Sequence, residues 1–496
     1  MSKKILIIGL DGVSWNVLNP MIENGYMPFL KDFIKKGKSG ILKSTEPPIT
    51  PTAWTSFQTG LPPEVHQIKG FRNFYLKEGK LQTRILSSSS VSAKRIWDIL
   101  SENNRKICLL NVPLTYPPFP VNGILVSGFP VPSEDCNFTY PEDFKDELLR
   151  IIPSFEVMQI GIGARQKGMK IKNIISWWTN TVSQKSDLTL KLLNKEPWDV
   201  LMVHFQETDL LQHHLWHYID KNHPAHDPDN FSQVAQFYSN IDKILSEITA
   251  KARNNNLSTI ILSDHGFQAC KCYFKANSWL CRKEYLILNK NLKNNLIAVL
   301  KKIFALSLLY KFRSRIKQKK TTESITNRFL QSVINYKKSI VFLETNGVTN
   351  VAFAHFLSDN KKEIHKVLED LDSLTFNNYK IVKKIEEEHG NNNVFKIVFT
   401  DGIIATGTVP DNKPFFEIPK TSGVQHLGVH HIDGIIIFDE TLNHYKLPEN
   451  IFDVPKIIMG LQDVPFSPLE GLKEIKGLTA KESSEIENQL KGLGYL

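Results

Sequence analysis

The chain of 496 residues is poor in cysteine and has no long apolar run, and both absences restrict its class. Five cysteines, an odd number, argue against the disulfide framework that is typical of small secreted domains. No stretch of about 18 uncharged apolar residues occurs, so we expect no membrane-spanning helix. Residues 1–12 lack the long apolar region and the small-residue cleavage site of a signal peptide. We therefore expect a cytoplasmic protein, with peripheral contact as the form of membrane binding left open.

Acidic residues are scarce in one segment, which explains the basic character of the whole chain. Residues 290–338 carry thirteen basic side chains and a single acid, Glu323. The chain has a net charge of +10 and this segment +12, so the remainder sums to −2. A near-neutral protein with one basic insertion is not expected to bind nucleic acid specifically. Lys301 and Lys302 interrupt the apolar part of the segment. It is expected either to pack as a cap helix that offers cations to an anionic substrate, or to lie on an anionic membrane.

Short apolar runs alternate with helical patterns along the chain. Continuous apolar sequence is typical of parallel strands buried on both faces, and such runs cover Ile5–Ile8, Ile107–Leu110, Val200–Phe205, Thr259–Leu262 and Ile435–Phe438. Residues 231–250 have apolar side chains at helical spacing and predict a crossover helix. The alternation predicts an α/β fold with a doubly wound, mostly parallel sheet and helices on both faces. Ligands of such sheets bind beyond the carboxyl ends of the strands.

Aspartate and histidine residues stand beside four of these runs. The candidates are Asp11 after the first run, Asp209 and His213 after the Val200 run, Asp264 and His265 after the Thr259 run, and His430 just before the last run. Taken singly, each has a structural explanation, such as an Asp-Gly turn or a solvated pair on a helix. Together they would meet at one edge of the sheet, and carboxylate and imidazole groups are ligands that Zn²⁺ prefers. Six ligands suffice for two ions with three each, so the sequence predicts a two-metal site.

A threonine hydroxyl is the candidate nucleophile. Thr50 precedes Pro51, which predicts a helix with Thr50 as N-cap and Pro51 as its first residue, and Gly60 predicts the stop. A capped short helix would account for this segment by itself. The functional alternative is that the Thr50 hydroxyl lies in the positive field of the helix start, where backbone amides suit phosphate oxygens. A hydroxyl beside a divalent ion could ionise near neutral pH and attack phosphorus.

Several stretches together resemble the alkaline phosphatase superfamily, and more narrowly its type I phosphodiesterase/nucleotide pyrophosphatase group with the predicted phosphohydrolase or phosphomutase relatives. They appear in the order of the family and are IIGLDG (7–12), PITPTAWTS (48–56), TGL (59–61), NVPLTYPP (111–118), ETDLLQH (207–213), SDHGF (263–267), GVHHIDG (428–434) and LGYL (493–496). The resemblance implies an alkaline-phosphatase-like fold with a cap insertion. In pyrophosphatase-type members an Asn that contacts phosphate stands three residues after the nucleophile. Here that position is Ala53, so the resemblance does not extend to nucleotide specificity.

The resemblance also implies roles for the candidate residues. The family site usually holds two zinc ions, and manganese is the alternative that we consider. By position, one ion would be bound by Asp11, Thr50, Asp264 and His265, and the other by Asp209, His213 and His430. Thr50 would form a phospho-enzyme that water then hydrolyses.

These observations define the expected organisation and function. Residues 1–270 and 421–496 are expected to form a metallo-phosphoesterase core, and 271–420 an insertion or cap. The leading hypothesis is a metal-dependent phosphoesterase that hydrolyses a small phosphodiester or phosphomonoester through Thr50. Two alternatives stay open: a phosphotransferase or phosphomutase that uses the same site, and a non-catalytic protein that binds a phosphate ligand.

Overall fold

The computed structural model describes residues 2–158, 170–289, 330, 332–388, 391–407, 410, 414–421, 426–468, 478–493 and 495. Most of the basic segment 290–338 therefore lies outside the described residues, and the predictions that concern it stay predictions. Within the described part of the chain, no helix combines the length and the apolar character needed to cross a membrane.

The strands are numbered in chain order. They are β1 Lys4–Leu10, β2 Lys38–Lys43, β3 Arg72–Lys77, β4 Lys80–Ile85, β5 Ile107–Val112, β6 Gly123–Ser127, β7 Thr139–Tyr140, β8 Val200–Phe205, β9 Leu257–Leu262, β10 Gly266–Ala269, β11 Cys272–Lys275, β12 Val341–Glu344, β13 Val351–Phe356, β14 Thr375–Phe376, β15 Tyr379–Lys380, β16 Val382–Glu388, β17 Asn391–Phe399, β18 Ile403–Thr406, β19 Phe416–Glu417, β20 Gly428–His431 and β21 Asp433–Phe438.

The helices of the described residues are numbered in the same way. They are α1 Trp15–Glu23, α2 Pro28–Lys36, α3 Thr50–Thr59, α4 Pro63–His66, α5 Ile96–Glu102, α6 Phe144–Ile151, α7 Ile171–Lys195, α8 Glu207–Ile219, α9 Phe231–Asn254, α10 Ala276–Arg282, α11 Lys361–Asp372, α12 Val454–Leu461 and α13 Ala480–Leu493.

An eight-stranded sheet forms the centre of the molecule, in the order β2-β21-β9-β1-β8-β5-β6-β7. The five strands from β9 to β6 are parallel to one another. The strands β2, β21 and β7 pair antiparallel with their neighbours at the two edges. The predicted mostly parallel α/β sheet is therefore confirmed. The prediction that the Ile435 run is a parallel strand is wrong, because β21 enters from the cap side and runs against β9.

Both faces of the sheet are buried, as the continuous apolar runs predicted. Along β1, Leu6 and Ile8 belong to one hydrophobic cluster, and Ile5 and Ile7 to the other. Successive side chains of a strand point to opposite faces, so this alternation places packed helices on both sides. The long helix α9 packs on the first of these faces and ends four residues beyond the predicted 231–250. The residues that follow the strand ends therefore extend from a sheet that is packed on both faces.

A second group of elements lies between the third and fourth ligand segments. It contains the four-stranded sheet β12-β13-β17-β16 and the three-stranded sheet β18-β11-β19. These elements share a separate hydrophobic cluster, in which Phe274 and Phe399 are fully buried. Leu81 of the β3–β4 hairpin is part of the same cluster, although it precedes the predicted cap in the chain. The boundaries 270/271 and 420/421 stay predictions.

Candidate metal centre

The end of β1 places Asp11 over the middle of the sheet. The backbone N–H of Asp11 donates to Phe205 at the end of β8, at 3.1 Å, so the turn starts where the strand pairing stops. Gly12 has φ of +67°, and a Cβ at this position would come within 2.5 Å of the Phe267 ring. Glycine is therefore required by both conformation and space. Asp11 and Gly12 therefore form a turn that holds the Asp11 carboxylate in place.

Helix α8 carries Asp209 and His213 one turn apart. Residues at i and i+4 share one face of a helix, and here Asp209 Oδ1 lies 3.4 Å from His213 Nε2. All thirteen residues of this helix are buried. A solvated surface pair is therefore excluded, and both side chains face the interior of the site.

The remaining candidates come from β9 and β20. Asp264 and His265 follow β9 after one residue, Ser263, and the backbone N–H of Gly12 donates to Asp264 Oδ1 at 3.1 Å. His430 lies on β20, which pairs antiparallel with β10 and places His430 opposite Phe267. The structure thus brings together every ligand candidate that the sequence predicted. Their side chains are at most 1% exposed: Asp11, Asp209, His213, Asp264, His265 and His430.

The inward-facing nitrogen and oxygen atoms of this cluster lie close enough together to bind the same metal ion. His265 Nε2 lies 3.5 Å from Asp11 Oδ1 and 3.4 Å from Asp264 Oδ2. Asp209 Oδ1 lies 3.2 Å from His430 Nε2. Two groups of three potential ligands result, Asp11–Asp264–His265 and Asp209–His265–His430.

The second group differs from the predicted set in one member. His265 stands in it where His213 was predicted, although His213 Nε2 is only 3.0 Å from His430 Nε2. The assignment of ligands to ions therefore stays a prediction.

The outer atoms of the three imidazoles are all bonded to backbone carbonyls. Nδ1 of His213 lies 3.0 Å from the carbonyl oxygen of Gly428, and Nδ1 of His430 lies 2.8 Å from that of Pro48. Nδ1 of His265 lies 3.1 Å from the carbonyl oxygen of Gly266. A carbonyl only accepts, so each Nδ1 carries the proton, and each Nε2 points its lone pair inward.

The carboxylates follow the same arrangement. Asp264 uses Oδ1 for the Gly12 amide, and its Oδ2 is buried without a hydrogen-bond donor among the described residues. Asp209 accepts a bond from Tyr495 at Oδ2, and its Oδ1 likewise has no donor in the described structure. The site therefore presents converging lone pairs, and acceptors this close need a cation or protons between them. This donor set fits divalent metal ions.

Burial sets the protonation of the unliganded cluster. It raises the pKa of Asp11 well above its usual value, and the neighbouring carboxylates Asp264 and Asp209 raise it further. Burial also raises the pKa of Asp264. It lowers the pKa of His213 to about 3, so this imidazole stays neutral and able to bind a metal. A cation would replace the protons of the carboxyl groups, which couples metal binding to proton release.

Thr50 lies at the edge of the Asp11 group. Its Oγ1 is 3.4 Å from Asp11 Oδ1 and 3.4 Å from His265 Nε2, and the residue is fully buried. Helix α3 begins at Thr50, and Ile49 is the N-cap. The predicted N-cap role of Thr50 is therefore wrong, since no side-chain cap bond forms. The predicted stop is confirmed, because Gly60 is left-handed with φ of +68°.

Two N–H groups in the first turn of α3 are already occupied. The N–H groups of Thr52 and Ala53 donate to the carbonyl of Ile49, at 2.9 and 3.0 Å. They are not free for a phosphate, contrary to what the helix start suggested. Stabilisation of phosphate oxygens at this place depends on other groups.

Three residues at the site were missed by the sequence reasoning. His204 Nε2 lies 2.9 Å from Asp11 Oδ2, and Trp54 Nε1 donates to the same oxygen at 3.3 Å. Tyr495 donates to Asp209 Oδ2. A histidine inside the apolar run of β8 was a usable signal for His204. Trp54 and Tyr495 stand in matching stretches, but no spacing rule connects them to an aspartate.

The chain is similar to a known protein family and to several solved structures. Residues 5–390 match the model of the family described as type I phosphodiesterase/nucleotide pyrophosphatase. No curated protein matches the sequence. Phosphonoacetate hydrolase from Sinorhizobium meliloti 1021, in complex with phosphonoformate, has a similar structure, with a TM-score of 0.54 and 14% identity over 93% of this chain and 96% of that chain.

Two further structures have the same fold. The alkaline phosphatase PafA gives a TM-score of 0.53 with 12% identity, over 95% of this chain and 98% of that chain. Murine ectonucleotide pyrophosphatase/phosphodiesterase 5, an inactive threonine-to-alanine variant in complex with AMP, gives 0.50 with 13% identity, over 96% and 97%. Since the family match covers most of its length, the chain belongs to the type I phosphodiesterase/nucleotide pyrophosphatase family and is a hydrolase of phosphoric ester bonds.

Proposed function

We propose that the protein is a metal-dependent phosphoesterase that uses two divalent cations, with Thr50 as the nucleophile. The observation that carries the proposal is the ring of inward lone pairs from three carboxylates and three imidazoles, all buried and all oriented by bonds on their outer atoms. Such a donor set suits zinc, and manganese is the alternative. The ions would lower the pKa of a nearby hydroxyl and neutralise charge on a phosphate group.

The chain's own groups support the role of Thr50. Its Oγ1 lies 3.4 Å from both Asp11 Oδ1 and His265 Nε2, so it is next to the first set of ligands. Attack by this oxygen would form a bond to phosphorus and break the bond from phosphorus to the departing alcohol. A monoester would leave phosphothreonine, and a diester would leave phosphothreonine that still carries its second alcohol. Water would then hydrolyse the phosphothreonine and restore Thr50. In the related murine protein the inactive variant is a threonine-to-alanine change, which supports a threonine of this kind in the reaction.

The test compares three variants on chromogenic esters, p-nitrophenyl phosphate and bis(p-nitrophenyl) phosphate, with zinc or manganese supplied. Thr50→Val keeps the shape but removes the hydroxyl, and turnover should fall by several orders of magnitude. Thr50→Ser should retain part of the activity. Thr55→Val is the matched control, because its hydroxyl is also buried in α3 but only bonds the carbonyl of Pro51, at 2.6 Å.

Labelled substrate and rapid quenching should trap phosphate on Thr50 of the wild type. Near wild-type turnover by Thr50→Val would refute the nucleophile, because water would then attack directly. Turnover that persists in protein verified to be free of metal would refute the use of cations. If neither ester reacts with metals loaded, transfer to another alcohol becomes the better hypothesis.

The substrate class and partners stay proposals. We infer a small phosphate ester, because Ala53 stands where the pyrophosphatase-type members carry an Asn that contacts phosphate, and the sequence has neither a Walker A motif nor a Gly-x-Gly-x-x-Gly after a strand. Contact of the basic segment 290–338 with an anionic membrane stays a prediction, since nearly all of that segment lies outside the described residues.

A further inference from the structure

The last aromatic residue of the chain reaches into the metal centre. The hydroxyl of Tyr495 donates to Oδ2 of Asp209, and the two residues are 1% and 0% exposed. The other oxygen of this carboxylate, Oδ1, faces His430 Nε2 at 3.2 Å and His213 Nε2 at 3.4 Å. Tyr495 therefore occupies the outer oxygen and leaves the inner one as the ligand atom.

The position of the Tyr495 hydroxyl is fixed by the packing of its ring. The ring lies edge-on to Phe71, with centroids 5.1 Å apart, and beside Phe129 at 5.8 Å. It also meets the ring of His213 at 5.8 Å and an interplanar angle of 82°. A ring enclosed on several sides cannot swing its hydroxyl away from Asp209 without disturbing the core.

Helix α13 connects this contact to a second one at the same ligands. The N–H of Tyr495 donates to the carbonyl of Leu490 at 3.0 Å, so the tyrosine is tied to the helix end. The carbonyl of Leu493 lies 3.3 Å from His426 Nε2, and the His426 ring stacks on His213 with centroids 4.1 Å apart. The end of one helix thus supports both Asp209 and His213.

We propose that Tyr495 is a positioning residue for the ion bound by Asp209, His213 and His430. The inference rests on the proposed metal-dependent function. Donors that orient a metal-binding carboxylate typically change metal affinity by about 10- to 100-fold when removed. No hydrogen bond or ring contact joins Tyr495 to Asp11, Asp264 or His265 among the described residues, so its effect should fall on the ion of Asp209 more than on the other.

The experiment removes the hydroxyl alone. Tyr495→Phe keeps the ring among its aromatic neighbours and deletes the bond to Asp209. Tyr116→Phe is the matched control, since the Tyr116 hydroxyl also bonds a carboxylate, Glu482 of α13, at 2.7 Å, but away from the ligands. Both variants are loaded with zinc and titrated with a competing chelator, and the release of each ion is followed. Cobalt-loaded samples provide an absorption spectrum of the sites.

For Tyr495→Phe we expect one ion to be released at about 10- to 100-fold lower chelator strength, while the other is held as in the wild type. Its kcat should recover at saturating zinc, and its cobalt spectrum should change. Tyr116→Phe should match the wild type in all three measurements. Release of both ions exactly as in the wild type would overturn the inference, and so would equal loosening of both ions or the same loss in Tyr116→Phe. Failure of the wild type to bind two ions would instead refute the proposed function.

Discussion

Replacement of His204 by Phe tests whether the hydrogen bond from His204 orients Asp11, a member of the ligand group Asp11–Asp264–His265. His204 projects from β8 beneath Asp11, with Nε2 2.9 Å from Asp11 Oδ2. Its ring also meets Trp54 edge-on, with centroids 4.9 Å apart at 84°. Phenylalanine preserves this aromatic contact and the strand pairing, so His204→Phe removes little besides the hydrogen bond.

The expected magnitude follows from the charge of the acceptor. A hydrogen bond to an ionised group contributes about 1.5–3 kcal/mol, and about 1.4 kcal/mol corresponds to a tenfold change in an equilibrium constant. Asp11 keeps the longer bond from Trp54 Nε1, at 3.3 Å, which will compensate in part. We therefore expect binding of the ion near Asp11 to weaken by roughly 10- to 100-fold.

The assay is the same chelator competition as for Tyr495→Phe, so the two variants can be crossed. His204→Phe should loosen the ion of Asp11, and Tyr495→Phe the ion of Asp209. His355→Phe is the control, because it deletes a bond of the same kind, from His355 Nε2 to Glu344 Oε2 at 2.7 Å, in the cap.

The crossed result decides between orientation and general stability. If His204→Phe and Tyr495→Phe loosen the same ion, the division into two ligand sets is wrong. If His204→Phe leaves both affinities unchanged while thermal unfolding shifts, the histidine supports the fold and does not orient Asp11.

Two further predictions concern the surroundings of the site. Gly9→Ala would place a Cβ 2.8 Å from the Trp54 ring and 3.0 Å from His204, so we expect a loss of about 1–3 kcal/mol in unfolding free energy together with weaker metal binding. Gly460 lies in open space on a helix, so Gly460→Ala should be neutral or stabilising. Equal effects of the two substitutions would contradict the reasoning. Burial lowers the pKa of His66 from 6.5 to about 3, so the folded protein binds fewer protons than the unfolded chain between these values, and stability should fall as pH drops through this window. In His66→Gln the unfolding free energy should change less steeply with pH, by up to about 1.4 kcal/mol per pH unit. Denaturant titrations at several pH values from 6 to 4 give this free energy. The same change with pH in the wild type and in His66→Gln would refute the prediction.

The location of the ligands could be predicted because it depends on local sequence. Asp11 and Asp264 stand one and two residues after the ends of buried strands, and parallel strands must end at the same edge of the sheet. Asp209 and His213 share a helix face by spacing alone. These rules need no knowledge of distant contacts, and the structure brings all these residues together.

The orienting residues could not be predicted in the same way. The bond from Tyr495 to Asp209 joins positions 286 residues apart, and no periodicity encodes such a contact. The helix start at Thr50 was misjudged for a related reason. Thr50 resembles an N-cap by residue type, but its hydroxyl faces Asp11 and His265, so Ile49 takes the N-cap position without a side-chain bond.

The direction of β21 depends on the cap and not on the strand itself. Its apolar run is as continuous as that of β9, and both faces are buried. The chain returns from the cap through β20, whose pairing with β10 fixes His430 beside Asp209 before β21 begins. A strand that starts at the ligand edge must run away from it, so β21 is antiparallel to β9.

The cap closes the centre in this conformation. Thr50 is fully buried, although a nucleophile has to meet its substrate. The loop between β12 and β13 reaches the ligands, where the N–H of His430 donates to the carbonyl of Val348 at 2.9 Å. Val348 is itself fully buried in the main hydrophobic cluster. Access of a substrate to Thr50 therefore requires a rearrangement of the residues around it, and this cap loop is one of the described segments in contact with the ligands.

Ion pairs also hold the cap against the core near Thr50. Lys69 of the core pairs with Glu388 of β16 at 2.7 Å, and Lys396 of β17 pairs with Glu46 at 2.5 Å. Glu46 and Lys69 lie on either side of Thr50 in the sequence, so both flanks of the nucleophile are linked to one cap sheet. The side chains of these pairs are only 9–33% exposed, so salt screens them less than pairs on the open surface. The two pairs therefore hold the cap sheet to both flanks of Thr50 alongside the apolar contacts, and the bond from His430 to Val348 ties the same cap to a ligand strand.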